Sequence, residues 1–154
     1  VITAEPKISG TLGEFSWRVL APTKSASEAK DSNDASVVMV FSGQNFDLLL
    51  LGDLGETGQQ RISKSANQIL GTSSKPLILK VSHHGSNDQS AALHELLRPE
   101  LAVISVGEGN GYGHPGSELL DLLARSGSQV LRTDSYGSIA IAADGDALSW
   151  SGSG

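Results

Sequence analysis

Cysteine is missing altogether from the 154-residue sequence. That excludes a disulfide framework, a thiolate zinc site and a cysteine nucleophile together. Cations are in the minority, with 11 Lys and Arg against 17 Asp and Glu, a net charge of −6 with histidine neutral. A module that grips nucleic acid by phosphate neutralisation alone is thereby excluded. An acidic chain that handles nucleic acid needs a metal or a local basic groove. Aromatic side chains are scarce, 3 Phe, 2 Trp and 2 Tyr, so the core must be aliphatic. No apolar run reaches the ~18 residues of a membrane span. No Gly-x-Ser-x-Gly elbow occurs, so a serine nucleophile has no support, and no Gly-Lys-Ser/Thr ending marks a P-loop.

What is present is the length of one domain, a mean hydropathy of −0.09 and 18 glycines. The chain opens at Val1 without a methionine, as expected of an excised piece of something longer. Thr23 to Asn33 reads as a loop. Residues 151–154, Ser-Gly-Ser-Gly, read as a flexible tail behind a domain over residues 1–150. Phe15–Leu20 is an expected strand. Ser36–Phe41 and Phe46–Leu51 are apolar runs set to pair as a hairpin with a four-residue loop.

Thr57 with Gln60 three residues on forms a capping-box signature, and Ile62, Ala66, Ile69 and Leu70 then recur at helical spacing before Gly71. Leu77–Val81 is the next expected strand. Asn87 or Asp88 is placed to cap a second helix, on which His94 is expected at the surface. After a strand over Leu101–Val106, Pro115 sits where a first-turn proline belongs, and Gly127 closes a leucine-rich third helix. Three short strands follow: Gln129–Arg132, Ser138–Ala142 and Ala147–Trp150. Strand–helix units in series predict an α/β sandwich.

Several of these strands hand over to a polar cluster: Gly52-Asp53, His83-His84-Gly85-Ser86, Gly107 to His114, and Thr133-Asp134. If the strands run alike, the clusters gather at one carboxyl edge, where open α/β sheets place their sites. Asp53, behind four leucines, is either a helix-entry cap or a metal ligand on a rigid strand end. His83 and His84 offer imidazole nitrogens suited to zinc, manganese or iron. As neighbours on an extended segment they are expected to face opposite ways. Gly107 to Gly113 holds four glycines in seven residues and is either a plain flexible loop or a substrate-contacting lid. In the second case His114 acts as a general acid, an anion donor or an added metal ligand. Asp134, like Asn33 to Ser36, also fits simple turn chemistry.

In order along the chain, six motifs stand out: Asn33-x-x-Ser36; Leu-Leu-Leu-Gly-Asp53; Leu79-Lys-Val-Ser-His83-His84-Gly-Ser86; Ile104-Ser-Val-Gly; Tyr112-Gly-His114-Pro115; and Arg132-Thr-Asp134. The set resembles the metallo-β-lactamase superfamily, and within it the carboxyl-terminal domain of the ComEC family of DNA-internalisation competence proteins. The resemblance covers about Phe15 to Ile141. It implies an αββα sandwich and a di-metal centre of zinc or manganese. Asp53 would bridge the metals and His83 would be a further ligand, with His84 the alternative. His114 would contact substrate or transfer a proton, and Asn33, Ser36, Ser86 and Asp134 would face substrate. Such a centre cleaves phosphodiesters with a metal-held hydroxide.

The superfamily's main ligand motif, H-x-H-x-D-H, is absent: the four histidines are His83, His84, His94 and His114. The chain therefore resembles the second half of the domain, and a tight site needs three or four ligands. By itself it is expected to be inactive. The expectation is a fragment of a nuclease-like domain of an envelope competence protein, on the extracytoplasmic side of the membrane. Its partners would be DNA, the other half-domain and a membrane channel in the same polypeptide. Self-association through a bare sheet face is expected as well. The alternatives are a non-catalytic DNA-guiding module and a hydrolase of small phosphoesters.

Overall fold

A computed structural model of the chain describes residues 4–23 and 28–154. Part of the loop expected over Thr23 to Asn33 thus lies outside the described residues.

A seven-stranded mixed sheet forms the centre, in the spatial order β1-β2-β3-β4-β5-β6-β7. Strands β1 (Ser9–Leu12), β2 (Phe15–Ala21), β3 (Val38–Ser42) and β4 (Asp47–Leu50) are antiparallel neighbours. From β4 onward the sheet is parallel, through β5 (Leu77–Lys80), β6 (Leu101–Ile104) and β7 (Gln129–Arg132). The expected four-residue hairpin loop joins β3 to β4, closed by the Gly43 N–H donating to the Phe46 carbonyl at 3.0 Å. β1 carries three exposed residues of its four and shows no apolar period in the sequence.

Helices α1 (Glu56–Leu70), α2 (Ala91–Leu97) and α3 (Ser117–Ser126) are the crossovers between parallel strands. Their buried leucines and isoleucines meet Val38, Val40, Leu49, Leu51, Leu79, Val81, Ala102 and Ile104 on one sheet face. A short helix α4 (Thr133–Tyr136) takes the place of the simple turn expected there. Beyond it, β8 (Ile139–Asp144) and β9 (Ala147–Gly152) make a separate two-stranded sheet. Ile139, Ile141, Leu148 and Trp150 of this hairpin pack on Ile78, Leu101 and Leu131, the opposite face of the large sheet.

The expected α/β sandwich is present, its layers being helices, large sheet and small sheet. The face expected to be bare is partly covered by the chain's own hairpin. Over β2 and β3 the same face carries Trp17, Met39 and Phe41, each half-buried. β9 runs two residues past Trp150, and the Ser153 and Gly154 N–H groups bond the Tyr136 carbonyl at 3.0 and 3.1 Å. None of the described helices is long and apolar enough to cross a membrane.

The helix starts differ from the sequence reading in an instructive way. α1 begins at Glu56 behind Gly55, with no side-chain cap of its own, so Thr57 and Gln60 form no capping box. Gln60 instead donates to the Glu56 carboxylate one turn back, at 3.0 Å. α2 is capped by Ser90, not by Asn87 or Asp88. Those two residues reach outward. Asp88 Oδ1 accepts the Glu56 N–H at 3.1 Å, and Asn87 Oδ1 accepts the Leu119 N–H in the first turn of α3 at 3.2 Å.

Glycine at both helix entries leaves them room: an added Cβ would lie 2.3 Å from Asp88 Oδ2 at Gly55 and 2.0 Å from Asn87 Oδ1 at Gly116. The Asn87-Asp88 dipeptide thus caps two helices to which it does not belong. Loss of a helix cap costs about 1 kcal/mol. Asn87→Ala is expected to lower stability by that amount in urea unfolding, and a change below ~0.3 kcal/mol would remove the cross-cap from the account.

Candidate functional site

The parallel run β4–β7 delivers its carboxyl ends to one edge, and three of the four polar clusters meet there through direct contacts. After β4 the chain turns at Gly52, with φ +58°, where a Cβ would press to 3.2 Å from Ser36 Cβ and 3.3 Å from the Val37 carbonyl. This turn lifts Asp53 off the strand end. The Asp53 N–H donates to Ser36 Oγ at 3.1 Å, and the Gly52 carbonyl accepts the His83 N–H at 3.1 Å. The Asp53 and His83 turns are therefore tied side by side. Since α1 starts only at Glu56, Asp53 is not its cap.

His83 and His84 are not extended. Both lie in the left-handed region, at φ +47° and +52°, inside a 3-10 turn over His83–Gly85. The opposite-faces argument does not hold for this pair, whose ring centres are 6.4 Å apart. Gly85, at φ +85°, packs so close to Pro115 that a Cβ would meet that ring at 2.7 Å. His84 is exposed, and its Nδ1 bonds the Ser105 carbonyl at 2.7 Å. A backbone acceptor on one nitrogen fixes the tautomer and leaves Nε2 with its lone pair. The Asn33 amide nitrogen lies 3.5 Å from Nδ1 of His83. Beside Asn33, Asp34 forms an ion pair with Arg61 of α1, which anchors that loop.

His114 joins from the glycine-rich loop. Its ring centre is 5.7 Å from that of His83 at an interplanar angle of 66°. Asn110 clamps the loop base: its Oδ1 accepts the His114 N–H at 3.1 Å and its amide donates to the His114 carbonyl at 2.7 Å. Asp53, His83, His114, Asn33 and Ser36 are therefore linked, with His84 alongside. Ser86 accepts the Asp88 N–H at 3.2 Å and serves the turn. Asp134 is held by Arg132, at 3.0 and 2.5 Å. The hydrogen bond from Arg132 lowers the Asp134 carboxyl below its ordinary value and raises Arg132. Thr133 Oγ1 bonds both the N–H and the carbonyl of Val106, at 2.8 and 2.7 Å.

Three further contributors were given no role of their own by the sequence reading. Lys80, half-buried at the end of β5, donates to the Val81 carbonyl at 2.9 Å. Burial lowers its pKa, and the negative charge of Asp53 partly offsets that. A lysine inside the apolar run Leu77–Val81 was the available signal. Tyr112 stacks on His114, with centres 6.2 Å apart and planes at 21°.

The third is a buried amide network beneath the two turns. Gln59, fully buried, donates to the Leu54 carbonyl at 2.7 Å and to Gln89 Oε1 at 2.9 Å, while its Oε1 accepts the Ser90 N–H at 3.0 Å. Gln89 donates to the Ser82 and Ser86 carbonyls at 3.1 and 3.0 Å, and Ser82 Oγ donates to Leu54 at 2.8 Å. His94 belongs to this layer, contrary to its expected surface place. It is 1% exposed, its Nε2 is 3.4 Å from Gln89 Oε1 and its Nδ1 has no partner. Burial pushes its pKa down to about 4.

Among the described residues, no group of three or more His, Asp or Glu is gathered to hold a metal ion. The donors on this edge do not by themselves fit a complete metal centre.

No protein-family model matches the chain. It is similar to ComE operon protein 3 of Bacillus subtilis, 34% identical over 127 residues, which is 82% of this chain and 16% of the relative. It is 31% identical over 111 residues to competence protein ComA of Neisseria gonorrhoeae, 71% of this chain and 15% of that protein. Recombination protein 2 of Haemophilus influenzae is 28% identical over 126 residues, 81% of this chain and 15% of that protein. The chain thus spans about a sixth of the length of these relatives.

Proposed function

From relatives named for competence and recombination, we propose that this chain is a segment of a DNA-uptake protein, and that its Asp53–His83–His114 edge is part of a phosphodiester-cleaving site. The observation that carries the reading is convergence. Three residues from three successive parallel-strand ends lie together, with the His83 and His114 rings 5.7 Å apart. The ordered motifs and the layered sandwich support a metallo-β-lactamase-like half-domain of ComEC type, working with zinc or manganese. Its place is the cell envelope, outside the membrane and beside a channel in the same polypeptide.

Because the donors here do not complete a metal centre, no hydrolytic step is assigned to this chain alone. The remaining ligands belong to further polypeptide of the longer protein. What this chain contributes is a carboxylate on a rigid turn, two imidazoles fixed by Asn33 and Ser105, and a positive charge at Lys80. A second reading, a DNA-guiding module without catalysis, is favoured by the absence of a third gathered donor among the described residues.

The full-length protein carrying this segment is expected to cut DNA when supplied with Mn²⁺ or Zn²⁺. Asp53→Ala and His83→Ala are each expected to slow it by about 100-fold, in the range seen when support of a metal site is lost. His84→Ala in place of His83→Ala as the damaging change would reassign the ligand. A protein that binds metal yet cuts neither single nor double strands would leave the guiding reading.

A further inference from the structure

Among the described residues, Tyr112 has the highest exposure of the large hydrophobic side chains, 87%. A single exposed aromatic needs no explanation by itself. Its setting does. One face of the ring lies nearly parallel to His114, and His114 in turn abuts His83. The three rings form a continuous path from solvent to the edge that carries Asp53.

The loop that presents Tyr112 is built to stand clear of the body. A Cβ added at Gly107, Gly109, Gly111 or Gly113 would meet nothing within 4 Å. Yet the loop is not loose at its base, where Asn110 bonds both the N–H and the carbonyl of His114. An aromatic ring held on one side and open on the other is the element that single-strand binders use, because every base has a π-face. In a duplex those faces are already covered by stacking, and an enzyme that needs one must take the nucleotide out of the stack.

Resting on the DNA-cleaving reading above, we propose that Tyr112 is a stacking platform for an unpaired base, so that the site takes single-stranded DNA. The base lies on the outer face of Tyr112 and its phosphate is directed toward His114 and His83. Tyr112 is a positioning residue. Selectivity comes from the π-face and not from base edges, so the preference among sequences is weak.

The test uses this chain with a fluorescein-labelled oligothymidylate and an abasic strand of equal length and charge, read by anisotropy at low salt. Stacking on one aromatic ring contributes enough to predict roughly 10-fold weaker binding of the base-bearing strand by Tyr112→Ala. Tyr112→Phe and Tyr112→Trp are expected to retain it, and the abasic strand is expected to bind wild type and Tyr112→Ala alike. Loss of both strands to the same extent in Tyr112→Ala would overturn the proposal. So would a wild-type chain that binds both strands equally or neither. Base-dependent binding that needs Tyr112, in a full-length protein that does not cleave, would overturn cleavage and leave the platform standing.

Discussion

Replacing Gln59 with leucine is expected to destabilise the chain by about 3 kcal/mol, each stranded buried polar group costing ~1–3 kcal/mol. Gln59 is fully buried and leucine fills nearly the same volume, so the loss is one of hydrogen bonding and not of packing. The Ser90 N–H loses the partner it has at 3.0 Å, and Gln89 Oε1, losing its partner at 2.9 Å, is left with His94 Nε2 at 3.4 Å. The Leu54 carbonyl keeps only Ser82 Oγ. Two of the groups touched are the immediate neighbours of the candidate site, since Leu54 follows Asp53 and Ser82 precedes His83. Urea unfolding followed by circular dichroism measures the effect. Gln60→Leu, one residue on and exposed, is the control, expected within ~0.5 kcal/mol of wild type. Equal effects from the two would mean that the amide layer contributes nothing special.

Acid should weaken the fold through one histidine before most carboxylates respond. His94 is packed among Leu49, Leu77, Leu79, Leu93, Leu97 and Pro99, and that apolar setting holds its pKa near 4 against an ordinary 6.5. On lowering the pH the unfolded chain takes up this proton first. The contribution of neutral His94 is therefore complete above about pH 6.5 and is lost progressively as the pH falls toward 4. Its full size is about 3 kcal/mol, one pKa unit being ~1.4 kcal/mol. His94→Leu is expected to flatten the stability profile between those limits by about one proton. An unchanged slope would place the titration elsewhere.

Much of the scaffold was legible because its signals are local. Strand β7 and the four-residue hairpin loop follow from short apolar runs and turn residues, and Gly127 ends α3 at φ +84°, as a glycine does at a helix stop. The gathering of Asp53, His83 and His114 followed from one inference, that strands joined by helices run parallel. What failed was non-local. Asn87 and Asp88 carry cap chemistry, but the amides they satisfy lie 32 residues away in either direction. Near-neighbour reasoning gave one or the other of them to the start of α2, which Ser90 caps.

His94 was misread by residue type. It lies one residue after Leu93 and three before Leu97, on the apolar side of α2, and the wheel alone would have buried it. The left-handed His83-His84 pair sits past a strand end, where alternation stops applying. Lys80 went unread because it lay within a strand otherwise made of leucine, isoleucine and valine.

The cross-caps set by Asn87 and Asp88 also bear on which loops can change length. Site-bearing loops commonly accept insertions, because only their ends are fixed. The stretch from His83 to Ser90 cannot, since its middle is pinned at two points to separate helices. One extra residue there would pull both caps out of reach together. The segment over residues 107–113, where a Cβ added at any of the four glycines would meet nothing within 4 Å, is held at its base by Asn110, which bonds the Gly107 carbonyl and His114, and not to a separate helix. Of these two stretches at the edge, the loop that carries Tyr112 is therefore the one with room to change length.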